Sequence, residues 1–242
     1  MTSTTSSPSS APSALTVSAA PPSPAFDTMA AGMDSSHVGT TSSKEIDRLS
    51  MAHDASHYLL VPQGIVRPES ADGVAAVMAA ASRAGLPVTF RSGGTSLSGQ
   101  AVSDGVMVDT RRAFRGIEVL DGGNKVRVQP GATVGAVNGA LRRWGRKIGP
   151  DPASSSACTI GGVIANNSSG MSCGTEFNTY RTLDSMVLIL PSGTTLDTSE
   201  PDADSRLRDQ EPELHEGLLR LRRRVVENPE SRRTIEHQYS MK

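Results

Sequence analysis

Aromatic side chains are scarce in this 242-residue chain, with one Trp, three Tyr and four Phe making up 3% of it. A nucleic acid would find few rings to stack on, and 24 basic against 25 acidic side chains leave no field to hold a polyanion. Nucleic acid is therefore set aside as a partner. Long apolar runs are missing too: Met186-Val187-Leu188-Ile189-Leu190 stops at Pro191, far short of the roughly 20 residues a bilayer-crossing helix needs. No transmembrane segment is expected. Cysteine is limited to Cys158 and Cys173, which build neither a disulfide framework nor a C-x-x-C metal pair. A reducing compartment fits, so the expected location is the cytoplasm, with a peripheral position at the inner face of the membrane as the alternative. Lys and Arg are absent before Lys44, and residues 1–43 are dominated by Ser, Thr, Ala and Pro. Neither a secretory signal nor an organellar transit peptide is supported. Such a composition buries too little surface to offset chain entropy, and a disordered tail over residues 1–43 is expected.

Beyond Ile65 the chain is patterned. Val74, Val77, Met78 and Ala81 form an apolar stripe at helical spacing, with Ser70 placed to cap it and Gly85 placed to end it. Pro87-Val88-Thr89-Phe90 and Gly105-Val106-Met107-Val108-Asp109 read as short strands. Alternation around the turn Asp121-Gly122-Gly123-Asn124 predicts a hairpin of residues 117–120 with 126–128, and Pro191-Ser192-Gly193 predicts a second one. A helix is expected from Thr133, with Val134, Val137, Leu141 and Trp144 on one side. A last helix starts near Pro212 and carries Leu214, Leu218, Leu221 and Val225 on one face. Its Arg220, Arg222, Arg223 and Arg224 are flanked by glutamates and read as a solvated face. Short strands, hairpins and separate helices predict an α+β fold more than a regular β-α-β alternation.

Two stretches are too rich in small residues to be simple connectors. Arg91-Ser92-Gly93-Gly94-Thr95-Ser96-Leu97-Ser98-Gly99 follows a predicted strand, so backbone N–H groups could turn toward a ligand and form a nest for phosphate oxygens. The dinucleotide fingerprint G-x-G-x-x-G, the triphosphate-loop G-K-[ST] and the hydrolase elbow G-x-S-x-G are all absent from it. The second stretch runs from residue 149 to 170 and includes Pro152, Cys158-Thr159-Ile160-Gly161-Gly162, Asn166 and Gly170. Two backbone-donor surfaces suit an extended ligand with a diphosphate in its middle and flat rings at its ends. His53 and His57 have the spacing of a helical metal pair but lack a third ligand, so no metal is expected. Asp109 and Asp151 could stand near a cofactor or serve turns and caps.

Jointly these residues resemble the FAD-linked oxidases of the vanillyl-alcohol oxidase or PCMH type. The nearest branch is that of the bacterial D-lactate, glycolate and D-2-hydroxyglutarate dehydrogenases, and the resemblance runs from about Ala55 to Thr198. It implies a PCMH-type FAD-binding domain of two small α+β subdomains over residues 44–242, incomplete at the C-terminus, with the substrate domain absent. It implies FAD contacts from Arg91, Ser92, Gly93, Gly94, Thr95 and Ser96 in the first loop. In the second stretch the contacts would come from Pro152, Cys158, Thr159, Ile160, Gly161, Gly162, Asn166 and Gly170, with Val187 near the adenine end. Thr95 stands where covalently flavinylated relatives carry His, so noncovalent FAD is expected, and Cys158 is expected to be a packed thiol.

The implied activity is oxidation of a D-2-hydroxy acid by hydride transfer to flavin N5, with electrons passed to a quinone, cytochrome or iron–sulfur centre. By that analogy the base and the carboxylate-binding cation would come from sequence not present here, and no catalytic residue is assigned. The alternative is an FAD-binding module or truncated product with no turnover of its own. An enolpyruvyl-sugar reductase is a third possibility, against which Pro150-Asp151-Pro152 and the 158–170 stretch argue.

Overall fold

The computed structural model describes residues 19–33 and 38–239. In chain order the first half comprises α1 (Pro24–Ala31), β1 (Thr40–Ser42), α2 (Glu45–Ser50), β2 (Gly64–Arg67), α3 (Ala71–Arg83), β3 (Val88–Arg91) and β4 (Val106–Asp109). One sheet takes the order β1-β2-β4-β3, with β2 and β3 both parallel to the central β4 and β1 antiparallel at the edge of β2. All four residues of β4 are buried, as an apolar run in the middle of a parallel sheet should be. Helix α3 is the crossover between β2 and β3. Ser70 caps it by accepting the Gly73 N–H at 3.0 Å, and Gly85, at φ +64°, takes the left-handed turn beyond its end. The unit β2-α3-β3 is thus a single parallel crossover within a fold that otherwise lacks regular β-α-β alternation among the described residues, as an α+β fold allows.

The expected tail over residues 1–43 is corrected where it is described. Helix α1 is capped by Ser23 and buries Phe26 and Met29 in the same cluster as Val66, Val77, Ala81, Val106 and Val108, while residues 40–42 form an edge strand. Phe26 and Met29 are too few to give a periodic signal, yet Phe26 fills a space kept open by Gly64, whose absent Cβ would lie 1.9 Å from Phe26 Cζ. Buried Arg48 adds a polar staple, donating from Nε to Pro62 O at 2.6 Å and from Nη2 to Ala20 O at 2.5 Å. Residues 1–18 and 34–37 of the expected tail lie outside the described residues.

A second core lies around the antiparallel hairpin of β5 (Ile117–Leu120) and β6 (Lys125–Val128), α4 (Val134–Leu141) and α5 (Ile160–Ala165). Val134, Val137, Leu141, Cys158, Ile160 and Val163 are buried there against Ile117, Val119, Val126 and Val128. Trp144 falls not on α4 but in the 3-10 turn after it, where it packs beside Gly123. After α6 (Thr179–Thr182), the hairpin of β7 (Val187–Ile189) and β8 (Thr195–Asp197) rests on α3, its turn residue Gly193 lying 3.1 Å from Ala75 O if given a Cβ. Helices α7 (Ala203–Gln210), α8 (Pro212–Val226) and α9 (Pro229–Gln238) bury no side chain. The predicted stripe of α8 is present, and Leu214, Leu218, Leu221 and Val225 are exposed.

Candidate functional site

The first glycine-rich loop leaves β3 at Arg91, which is 7% exposed. Its guanidinium donates from Nη1 to Ala101 O at 2.9 Å and from Nη2 to His53 O at 2.8 Å, tying both ends of the loop to the preceding turn. Gly94 lies directly against that guanidinium. A Cβ there would fall 2.7 Å from Nη2, and the residue holds φ +65°, so only glycine suits the position. Asp54 closes the clamp by accepting the Ser56 N–H at 2.8 Å and the Ala101 N–H at 3.2 Å, and Ala55 N–H donates to Gly94 O at 3.0 Å. Burial works to raise the Asp54 carboxyl, but these bonds and the charge of Arg91 prevail and hold it below its ordinary range.

Beneath the loop, Asp109 at the end of β4 is paired in register with Arg91. Its carboxylate is gripped through both oxygens by Arg111, each contact at 2.9 Å, and approached by Arg67 at 3.7 Å. Burial opposes its ionisation, yet the Arg111 bonds keep the carboxyl below its usual range. Asp109 is therefore a structural anchor, and it also serves a turn by accepting the Arg111 N–H at 3.1 Å. Asp151 serves a turn as well, accepting the Ser172 and Cys173 N–H groups at 3.1 and 3.2 Å.

The second stretch is held by backbone. Ile160 N–H donates to Ala132 O and Gly161 N–H to Pro130 O, both at 2.9 Å, and Thr133 bridges Thr159. Cys158 is buried in the second core, where desolvation pushes its thiol up against a weaker opposing bond to Ser154. Thr159 is 3% exposed, and its Oγ1 finds no partner among the described residues.

The two stretches meet. A Cβ on Gly93 would lie 2.4 Å from Ala157 O and 2.9 Å from Cys158 Cα, and a Cβ on Gly162 would lie 4.0 Å from Ser92 Cβ. Among the described residues, no acceptor is found for the backbone N–H groups of Ser92 through Leu97. Free donors on a glycine-lined backbone, with an orphaned threonine hydroxyl on the adjoining stretch, fit a ligand with several anionic oxygens. Of the predicted contact residues, Ser92, Gly93, Gly94, Cys158, Thr159 and Gly162 are thereby brought together. Pro152 begins the turn that ends at Cys158, accepting the Ser155 N–H at 2.9 Å. Asn166 is exposed at the end of α5, Gly170 packs on Asp151, and Val187 stands 56% exposed on the β7–β8 hairpin; none of the three is among the nearest neighbours of Gly93.

Sequence reading missed the clamp of Asp54 and Ala101 and the carbonyls of Pro130 and Ala132. The pattern Asp54-Ala55-Ser56, an aspartate two residues before a small polar residue, was a usable turn signal. The carbonyl pair carries no side-chain signature at all.

Residues 62–199 match the family described as FAD binding domain. Over 137 residues the chain is 36% identical to a D-2-hydroxyglutarate dehydrogenase of Escherichia coli K12, an alignment covering 55% of this chain and 14% of that protein. It is 35% identical over 120 residues to the glycolate oxidase subunit GlcD of the same strain, covering 49% of this chain and 24% of the relative. Among solved structures, an alkyldihydroxyacetonephosphate synthase superposes with a TM-score of 0.61 at 20% identity, over 75% of this chain and 36% of that one, which establishes likeness of fold. The chain thus spans between a seventh and a quarter of the length of these curated relatives.

Proposed function

The chain belongs to the FAD binding domain family, with FAD as its cofactor, and on that premise we propose that it is the flavin-holding part of an oxidoreductase acting on a D-2-hydroxy acid of the D-2-hydroxyglutarate, glycolate or D-lactate class. The observation that carries the proposal is the contact of Gly93 with Ala157 and Cys158, which joins two glycine-rich stretches into one surface. Ser92, Gly93, Gly94, Thr95 and Ser96 would hold the diphosphate through their N–H groups, with serine and threonine hydroxyls beside them. Pro152, Cys158, Thr159, Ile160, Gly161, Gly162, Asn166 and Gly170 would line the rest of the cofactor, and Val187 the adenine end. Thr95 offers no imidazole for a covalent link, so the cofactor is held noncovalently. When bound, FAD supplies a two-electron acceptor at N5 for the hydride from C2 of the hydroxy acid.

The protein's own part is to orient the cofactor and exclude water from one side of it. Asp54, Asp109 and Asp151, three carboxylates bonded to or beside the two stretches, are all engaged as structural acceptors. That observation favours a second reading for the chain by itself, a holding module without turnover. The base, the carboxylate-binding cation and the contacts to a quinone, cytochrome or iron–sulfur acceptor then belong to the whole enzyme, of which residues 44–242 together with α1 are the flavin domain portion. Its proposed location is the cytoplasm or the inner membrane face. No helix among the described residues is long and apolar enough to cross a membrane.

Titration of the purified protein with FAD tests the reading. The expected outcome is quenching of the added flavin's fluorescence and a yellow complex whose colour passes to the supernatant on acid precipitation. A colourless protein that leaves FAD fluorescence unchanged overturns it.

A further inference from the structure

Arg91 is buried, yet among the described residues no carboxylate forms an ion pair with it. Its bonded partners are the neutral carbonyls of Ala101 and His53, and its Nε has no partner among the described residues. The guanidinium groups nearby have carboxylate neighbours: Arg111 grips Asp109 at 2.9 Å, and Arg67, whose Nε also lacks a hydrogen-bond partner among the described residues, lies 3.7 Å from Asp109 and 3.8 Å from Asp47. Asp54 stands one residue removed, bonded to the N–H of the same Ala101 whose carbonyl Arg91 holds. A buried cation with no contacting counter-ion is costly, and folded proteins rarely keep one without a use. Burial, and after it the charge of Arg111, lower the basicity of Arg91 by more than the charges of Asp54 and Asp109, neither in contact with it, raise it.

The face of this guanidinium lies against Gly94, with Nη2, Cζ and Nε all 2.7 to 2.9 Å from where a Cβ would stand. The same backbone segment carries the N–H groups that lack acceptors. We infer that Arg91 is a positioning residue for the diphosphate, acting through the Gly94 backbone rather than by contact, and that its charge, which no carboxylate contacts among the described residues, sets the affinity for diphosphate-bearing ligands while leaving the affinity for the flavin ring alone unchanged. The inference rests on the reading of the 92–97 loop as the diphosphate site.

Riboflavin has the flavin ring and no phosphate, so the ratio of FAD to riboflavin affinity isolates the effect. The full 242-residue protein and its Arg91→Met and Arg91→Lys variants are titrated with both ligands by fluorescence quenching, with circular dichroism melts alongside. In Arg91→Met the ratio is expected to fall about tenfold or more, the size of one lost interaction with a charged group. Arg91→Lys keeps the charge and should hold the ratio within about threefold of the native protein. A parallel fall for both ligands in Arg91→Met, or no fall, marks Arg91 as mere loop support and overturns the inference. Should Arg91→Met not fold, Arg91→Lys decides: a tenfold loss of the ratio with the charge retained overturns it equally. If the native protein binds FAD and the variants behave alike, only this inference fails; if the native protein ignores FAD, the reading of the site fails first.

Discussion

The stretch of residues 91–97 and the stretch of residues 152–170 touch at Gly93, but different forces hold them. Behind the first stand charges: Arg91 under Gly94, Asp54 on the adjoining turn, and Asp109 clasped by Arg111 and Arg67. Behind the second stand apolar side chains, Cys158, Ile160 and Val163, and carbonyls of Pro130 and Ala132 that take its N–H groups. One stretch keeps its backbone donors free because side chains and carbonyls elsewhere restrain it. The other gives the N–H groups of Ile160 and Gly161 to its own support and offers small residues and hydroxyls, the buried Thr159 Oγ1 among them. A site for an extended anion can thus be built from unequal halves, one braced by charges and the other by apolar packing.

The seam between the halves is the most sensitive point. Replacing Gly93 by Val would drive a side chain into Ala157 O and Cys158 Cα, both backbone atoms that cannot swing aside. FAD affinity is expected to fall by about a hundredfold or more, a loss of several van der Waals and polar contacts at once. Isothermal titration of the folded variant checks it, and native affinity would show that the stretches do not meet in solution.

Next in size is the charged support. Asp109→Asn removes the buried carboxylate from a half-exposed Arg111 and is expected to cost roughly 2 kcal/mol in urea unfolding, less than a fully buried pair would. The Asp109 carboxyl is held below its ordinary value in the folded protein. Its stabilising effect is therefore present above the unfolded carboxyl pKa of about 4 and is lost as pH falls through the lower folded value. The native protein should lose stability on acidification across that window, and Asp109→Asn should flatten the loss; an unchanged acid limb would count against the ion-pair support.

The apolar half has the opposite pH edge. Desolvation raises the Cys158 thiol, so its contribution is present below the unfolded thiol pKa of about 8.5 and is lost as pH rises toward the folded value. Cys158→Ala is expected to cost only about 1 kcal/mol at neutral pH, and to remove part of the alkaline decline. Thermal melts of both proteins from about pH 7 to 10, a range that brackets the ordinary thiol value, would show it, and identical slopes would mean that the thiol is not shielded in the folded state.

Much of the local structure was readable along the chain because its causes are local. Ser70 and Thr133 cap α3 and α4 by accepting N–H groups three residues ahead, and alternation around a glycine turn made both hairpins. The crossover strand β2 escaped notice, because Ile65 and Val66 are too few to show a period and gain meaning only beside β4. For the site, the residue types that leave backbone donors open were legible; the clamp on them was not, since it uses carbonyls that every residue possesses. The stripe on α8 shows the same division. Its periodicity was readable, while whether it is covered depends on what packs there.

Amino-acid order alone determined the capped helices α3 and α4, the two hairpins, the stripe of α8 and where small residues free the backbone, since capping, chirality at glycine and hydrophobic spacing act over a few residues. Only the tertiary structure decided that Phe26 joins the core, that an arginine is buried without a carboxylate, and that Gly93 meets Ala157. Those outcomes depend on burial and steric exclusion between segments distant in the chain, which no short-range pattern encodes.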